Sequence, residues 1–425
     1  CRLCNSTSLQ VVLKLAPTVR SLFHSNRNFV KFMLPQPPAN SFVQPTQQPK
    51  QALYPLDVYL CNDCTHVQLL HVVNPAILFR HYVYVSGTSQ VMRNHLKQYA
   101  FDVQRFSLAS PGDFIVEFGS NDGTLLQFFK ELGFKILGVD PATNLAITAT
   151  SNGIPTIPEF FNESTAQSIV EEHGKAKVIC ANHCCAHIDD FLGIVQGVKT
   201  LLRDDGVWIF EVGYFLDVYQ KGLFDTVYHE HVDFHTVRPL VSCFANCGMK
   251  LLHVSRSSIQ GGAIRCFVGW KDSSITNSQL TTDTVEMLLH EEAVAGIHDP
   301  RVLLQWDKSI HRTGLEIKAL LGGLKGKRFV GYGAPAKATT LMYTFGLNKN
   351  DVEYIVDDNE LKQGLLTPGL HIPVAKPSRI YEDMPEYVII LSWNFADSII
   401  AQHAAYLKAG GRFIVPLPCL RIVKD

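Results

Sequence analysis

The chain has 425 residues, 46% hydrophobic and 18% charged, with 38 Lys and Arg against 39 Asp and Glu for a net charge of −1. This composition excludes a disordered chain and provides core for roughly two to four domains, and it leaves no global field to draw the protein to nucleic acid or an anionic membrane. No stretch reaches the ~20 apolar residues of a membrane span, so a soluble protein is expected.

The N-terminus, Cys1-Arg2-Leu3-Cys4-Asn5, has neither a signal-peptide core nor an initiator Met, so a trimmed chain or a fragment is expected. The 11 cysteines are an odd number, several inside apolar runs (Cys180, Cys243, Cys266), which suits a reducing, cytoplasmic compartment better than a disulfide framework. Two C-x2-C pairs, Cys1/Cys4 and Cys61/Cys64, bracket a segment broken by Pro17, Pro35, Pro37, Pro38, Pro45, Pro49 and Pro55. Such a segment needs a staple, and four thiolates at this spacing suit a closed, structural, tetrahedral Zn2+ site in a module over residues 1–75. Reactive dithiols are the alternative.

From Leu78 to Phe106 the apolar spacing predicts a helical linker (Met92, Leu96, Tyr99, Val103, Phe106). Within it, Tyr82 and Tyr84 would share a face if extended, as core or as a cover over substrate. Strands are then predicted at 114–118, 135–140, 177–181 and 207–212, with helices between them such as Ile188 to Leu202. This alternation implies an α/β fold with a doubly wound parallel sheet. Met249 to Val254 and Ala263 to Trp270, joined through Gly261-Gly262, read as an antiparallel pair at its edge.

Phe114 to Thr124 reads as a strand, a glycine turn and a helix start, the geometry of a nucleoside-cofactor cradle. Asp140 ends the next strand, 17 residues past Gly123, where a carboxylate can accept from both ribose hydroxyls. Ser120 and Asn121 follow Gly119, so the dinucleotide pattern G-x-G-x-x-G is absent. Glu117, Gly119, Asp122 and Gly123 give E-x-G-x-x-D-G, which resembles the first motif of class I S-adenosylmethionine (SAM) methyltransferases. An acidic loop suits SAM, which carries a sulfonium and an amino group but no phosphate; an ordinary βα turn is the bland alternative. Asn182-His183-Cys184-Cys185-Ala186-His187 follows the third strand and should lie over the same crevice, unless the histidines only cap the next helix.

Phe224-Asp225-Thr226-Val227-Tyr228-His229-Glu230-His231 ends in four hydrogen-bonding side chains that packing does not explain. An imidazole, an orienting carboxylate and a phenol are what proton abstraction beside a carbonyl requires. A solvated loop is the alternative, and a metal site of His229, His231 and His235 lacks the i, i+4 ligand geometry at its first two histidines. After a helical stretch near Thr282 to Leu321, Gly331, Gly333 and Ala336 fit G-x-G-x-x-A, with Asp357 21 residues beyond Ala336. Taken by itself this loop argues for NAD, or for Lys337 meeting a phosphate of a nucleotide-linked substrate. The Tyr387 to Asn394 strand should end at the same crevice.

The order Cys-x2-Cys, Cys-x2-Cys, EFGSNDGTLL, ANHCCAHI, FDTVYHEH, QGGAIR, GYGAPAKATT and TPGLHIP closely resembles the three-domain, zinc-containing sugar C-methyltransferases, which act on nucleotide-linked 4-keto-deoxysugars. The resemblance implies a zinc-binding domain over 1–75, a SAM-binding class I methyltransferase domain over 76–255, and a second Rossmann-like, substrate-binding domain over 256–425. It implies His231 as catalytic base, with Glu230 and Tyr228 as partners, His187 as a further active-site histidine, and Tyr82 or Tyr84 reaching the sugar. Cofactor contacts would come from Glu117, Gly119, Asn121, Asp122, Gly123, Asp140, Asn182 and His183, and substrate contacts from Gly261, Gly262, Arg265 and Lys337. His183 stands where the family is expected to show asparagine, and Asp140 where glutamate is more usual. The runner-up function is an NAD-dependent oxidoreductase or epimerase acting on a nucleotide-sugar; a non-catalytic zinc-containing binding module is a third reading.

Overall fold

Three sheets organise the chain, and the middle one follows the alternation read from sequence. In this computed structural model, residues 1–15, 42–45, 54–80, 82, 84–272 and 283–425 are described. Pro17, Pro35, Pro37, Pro38, Pro49, Val83 and Thr282, which entered the sequence reading, lie outside them. The middle sheet runs, edge to edge, Met249–Ser257, Ala263–Trp270, Leu202–Gly213, Ala176–Asn182, Phe114–Phe118, Lys135–Val139 and Thr156–Ile157. Every pairing is parallel except those of Ala263–Trp270, which runs antiparallel to both neighbours. The inner strands are covered on both faces, which is why Val178, Ile179, Cys180 and Ala181 form an unbroken apolar run with no exposure. The predicted hairpin does close one edge, so this sheet continues past residue 255.

Phe114–Phe118 is the earliest strand in the sheet, and the chain winds outward from it in both directions. The crevice between its carboxyl end and that of Ala176–Asn182 is therefore the switch point where an open α/β sheet binds ligands. The glycine loop after residue 118 opens there.

A four-stranded antiparallel sheet carries the cysteine module: Leu9–Lys14, Asp57–Cys61, Val67–Leu69 and, from far along the chain, Asp233–Phe234. The last strand pairs Val67 with Phe234 and Gln68 with Asp233, two residues past His231. The module is thus completed by the segment that carries the candidate base. The third sheet, Val374–Ala375, Ile355–Val356, Phe329–Tyr332, Tyr387–Ile390, Arg412–Val415 and Arg421–Val423, is parallel but for its last strand.

Two predicted helices are shorter than expected, for local reasons. The linker is helical only at Pro75–Phe79 and Gln90–Ser107, with one tight turn at Ser86–Thr88 between them. Asn121 and Asp122 accept hydrogen bonds from the Ser86 and Gly87 amides, drawing this backbone away from a helix. Ser89 then caps the long helix by accepting from the Met92 amide. Met92, Leu96, Tyr99, Val103 and Phe106 form its buried stripe, as the spacing predicts. The 282–321 stretch is two helices, Asp283–Ala295 and Pro300–Gly323, because Asp299 caps the second and Pro300 cannot donate into a continuing helix.

Candidate active site

The four cysteines meet as the spacing predicts. Their sulfurs all lie within 4.8 Å of one another, with Cys1 and Cys64 at 3.5 Å and Cys4 and Cys61 at 3.7 Å. Tetrahedral Zn–S bonds near 2.3 Å put sulfurs about 3.8 Å apart, so the donor set fits a structural Zn2+ held by Cys1, Cys4, Cys61 and Cys64. No other metal-ligating cluster occurs among the described residues. In particular His229, His231 and His235 diverge, their ring nitrogens meeting the carbonyls of Tyr54, Thr226 and Cys185 respectively.

A cavity of about 1000 Å³ opens at the switch point of the middle sheet. One wall is the glycine crook. Gly119 has φ +67°, and a Cβ there would lie 2.7 Å from the Cys184 side chain, so only glycine leaves the crook open. Asp140 closes it, its two oxygens accepting from the Asn121 and Ala142 amides at 2.7 and 2.8 Å. Each oxygen keeps a lone pair for a hydroxyl. Glu117 is 3% exposed and takes one hydrogen bond, from Asn182 at 3.2 Å. Its second oxygen, the Ser120 hydroxyl and the Asn182 carbonyl are buried without partners among the described residues, which is the state of a polar site awaiting a ligand. Burial pushes the Glu117 carboxyl well up, with Asn182 opposing, and a cationic ligand beside it would restore the carboxylate. These acceptors fit the amino group and ribose of SAM.

The opposite wall carries the polar cluster of residues 228–231. The Thr226 carbonyl accepts from His231 Nδ1 at 2.7 Å, and since a carbonyl can only accept, Nδ1 holds the proton and Nε2 the free pair. The Tyr228 hydroxyl lies 3.1 Å from that Nε2 and donates to it. Burial pushes His231 down to about 4, so it is neutral at neutral pH. The His187 ring stacks on it at 5.2 Å and on Phe79 at 5.3 Å; burial, then the charges of His231 and His183, holds His187 well below the usual imidazole range. Tyr82 donates to Glu230 at 3.1 Å, and burial together with that carboxylate keeps the phenol protonated.

Fourteen of the eighteen non-cysteine candidates line this one cavity, including Tyr82, Tyr84, Asp122 and Gly262. Some play parts other than those expected. The Asn121 and Asp122 side chains are committed to the linker backbone at Ser86 and Gly87, so they hold Tyr82 and Tyr84 over the cavity rather than facing it freely. Gly123, at φ +78°, starts the next helix and lies against Ile154, off the cavity wall. Arg265 points into the sheet, pairing with Glu211 at 2.9 Å and Asp102 at 2.9 Å, because the alternation of its strand turns it from the crevice. His183 belongs partly to the same network, donating to Glu211 at 3.2 Å, as His95 does at 2.6 Å. Burial opposes ionisation of Glu211, but these two histidines and Arg265 hold it well below the usual range. Gly261 is off the wall and accepts from Lys221. Lys337 is also off it, its charge felt by Asp225 and His231, whereas Asn359 and Lys362 reach the cavity and were not anticipated.

A seven-stranded sheet with one reversed strand, an acidic glycine crook at its switch point and an acid closing the next strand define a class I SAM-dependent methyltransferase. A C-methyltransferase C-terminal domain matches residues 258–418, a methyltransferase domain residues 92–254, and a zinc binding domain residues 24–79. C-methyltransferase NovU of Streptomyces niveus is 35% identical over 376 residues, 88% of this chain and 88% of that protein. The chain therefore belongs to the zinc-containing, SAM-dependent C-methyltransferase family and is an enzyme of that class. Among solved structures, an S-adenosylmethionine-dependent methyltransferase from Clostridium acetobutylicum is 13% identical with a TM-score of 0.35, over 42% of this chain and 92% of that one. Magnesium protoporphyrin IX methyltransferase from Synechocystis, with bound SAH, is 12% identical with a TM-score of 0.33, over 42% and 86%. Both are too remote to inform the chemistry.

The family assignment displaces the NAD reading. A Cβ at Gly333 would fall on the Ser392 side chain, and the loop that follows reaches the same 1000 Å³ cavity through Pro335 and Ala336. Among the described residues no helix is long and apolar enough to cross a membrane.

Proposed function

We propose that the enzyme methylates the carbon α to the ketone of a nucleotide-linked keto-deoxysugar. One observation carries this reading: the acidic crook, the Tyr228–His231 cluster and C-terminal residues such as Asn359 and Lys362 all line one cavity. His231 Nε2 takes the α-proton, and the electron pair of the broken C–H bond moves onto the ketone oxygen. Tyr228, already beside Nε2, is placed to donate to that oxygen as charge develops. Glu230 and Tyr82 brace the same wall. SAM, which Glu117 and Asp140 would hold by its amino group and ribose, would supply an electrophilic methyl group on a sulfonium whose C–S bonding pair stays with the neutral sulfur of SAH as the methyl group leaves. The burial that keeps His231 neutral also excludes water that would reprotonate the enolate. The polar reach of Asn359 and Lys362 suits the nucleotide end of the substrate. Unpaired cysteines outside the zinc cluster, such as the buried Cys180, Cys185, Cys243 and Cys266, fit a reducing, cytoplasmic setting.

The test is hydrogen exchange and methyl transfer in D2O with a nucleoside diphosphate-linked 4-keto-deoxysugar, comparing the parent enzyme with His231→Ala. Both should fall by about 100-fold or more, the usual weight of a general base. If both are unchanged, the base is another group.

A further inference from the structure

The geometry points to Trp393 and Thr340, from the C-terminal domain, as positioning residues that fix the tautomer of His231 through the Thr226 carbonyl. This rests on His231 being the base, and it adds to the Lys337 charge a second influence of the C-terminal domain on that histidine.

Nε2 is a usable base only while Nδ1 carries the proton, and the one acceptor holding that proton is the Thr226 carbonyl at 2.7 Å. A peptide plane is rigid, so this carbonyl cannot turn without turning the Val227 N–H, which donates to Phe224 at 3.0 Å within the tight turn Phe224–Thr226. The residues on either side of Thr226 are both tied to the C-terminal domain. Before it, Asp225 accepts from the Trp393 indole N–H at 2.7 Å; after it, the Val227 carbonyl accepts from the Thr340 hydroxyl at 2.7 Å. Phe224 adds a ring contact with Phe345 at 5.4 Å on the helix that carries Thr340. Asp225 and Thr340 are fully buried, and none of Asp225, Thr340 and Trp393 is on the cavity wall. Their effect on chemistry must pass through the turn. With the turn loosened, the imidazole can move its proton to Nε2 and leave its free pair facing the protein.

The double variant Trp393→Phe/Thr340→Val keeps an aromatic ring at 393 and the side-chain volume at 340 and removes both donors. In full-length, zinc-loaded protein labelled with [15N]histidine, long-range 1H–15N spectra report which ring nitrogen of His231 is protonated. The parent should show Nδ1–H alone and the double variant a mixture. Turnover of a nucleoside diphosphate-linked 4-keto-deoxysugar should fall about 10-fold in kcat, the weight of one or two buried hydrogen bonds, with KM and SAM affinity within about twofold. Thr340→Ser, which keeps the hydroxyl, should restore the parent tautomer in the Trp393-intact background. Because both donors act on one turn, the single variants should couple rather than add. An unchanged tautomer in the double variant overturns the proposal, as does a loss of SAM affinity in step with kcat, which marks a general loosening. Should the double variant fail to fold, Thr340→Val decides by the same spectrum. A tautomer shift that leaves proton exchange and turnover untouched upholds the clamp and instead removes His231 from the role of base.

Discussion

The chain builds the same strand, glycine turn and helix twice, and the two copies line one cavity with different chemistry. Both end the next strand in an aspartate used identically: Asp140 accepts from the Asn121 and Ala142 amides, and Asp357 from the Ala334 and Asn359 amides. Both have a glycine at positive φ, Gly119 at +67° and Gly333 at +88°. The difference lies in what borders the crook. A Cβ would meet Cys184 at Gly119 and Ser392 at Gly333, but the first crook presents the unpartnered acceptors of Glu117, Ser120 and Asn182, whereas the second reaches the cavity through Pro335 and Ala336. A glycine fingerprint therefore reports a backbone shape, and the residues facing it decide whether that shape holds a ligand.

Acid should separate the two halves most strongly. Burial pushes His229, His231 and His235 each down to about 4, and His231 lines the first cavity. The unfolded chain takes up these protons near pH 6.5, so their contribution is intact above that value and is lost as pH falls toward 4. Each costs about 1.4 kcal/mol per pH unit, while Asp225 and Asp233, raised by burial to about 6 and about 7, take up protons in the folded state over the same window and offset part of that loss. The urea midpoint should drop between pH 7 and pH 4.5 by less than the three histidines alone would give, and amides of residues 224–235 should lose exchange protection before those of 331–334. Undiminished protection of 224–235 at pH 4.5 would show these histidines are not buried neutral.

Next in size, Gly119→Val places a side chain against Cys184 in a left-handed backbone, and SAM affinity by calorimetry should fall at least 100-fold. Gly333→Ala is the matched change in the second crook. Its cost should appear as stability, about 2 kcal/mol read from the thermal midpoint, with SAM affinity unchanged. Loss of SAM binding there would erase the distinction between the loops. Glu117→Gln is the mildest: it keeps the contact to Asn182 but removes the charge, and SAM and SAH, which share the amino group and ribose, should both bind about 10-fold more weakly. A loss confined to SAM would mean Glu117 meets the sulfonium instead.

Much of this was legible in sequence because it is local. Glu117, Gly119 and Asp140 sit within one βα unit, the four cysteines announce their partner by spacing, and Tyr228 to His231 are too polar for an apolar core. What escaped depends on partners far along the chain. Ser392 meets the Gly333 crook from 59 positions away. Arg265 reads as a ligand-facing cation until its strand turns it toward Glu211. The linker tyrosines reach the cavity only because Asn121 and Asp122 hold the backbone beside them, which no helical periodicity reveals.

The two-residue strand Asp233–Phe234 also bears on how the enzyme matures. Its pairing with Val67–Leu69 joins the first sixth of the chain to a segment past its midpoint, so that edge cannot close until more than half of the polypeptide has been made. Since a thiolate site gains its order on metallation, zinc supply becomes a checkpoint on catalytic competence, and a metal-starved cell would accumulate chains that fold their central sheet yet turn over nothing.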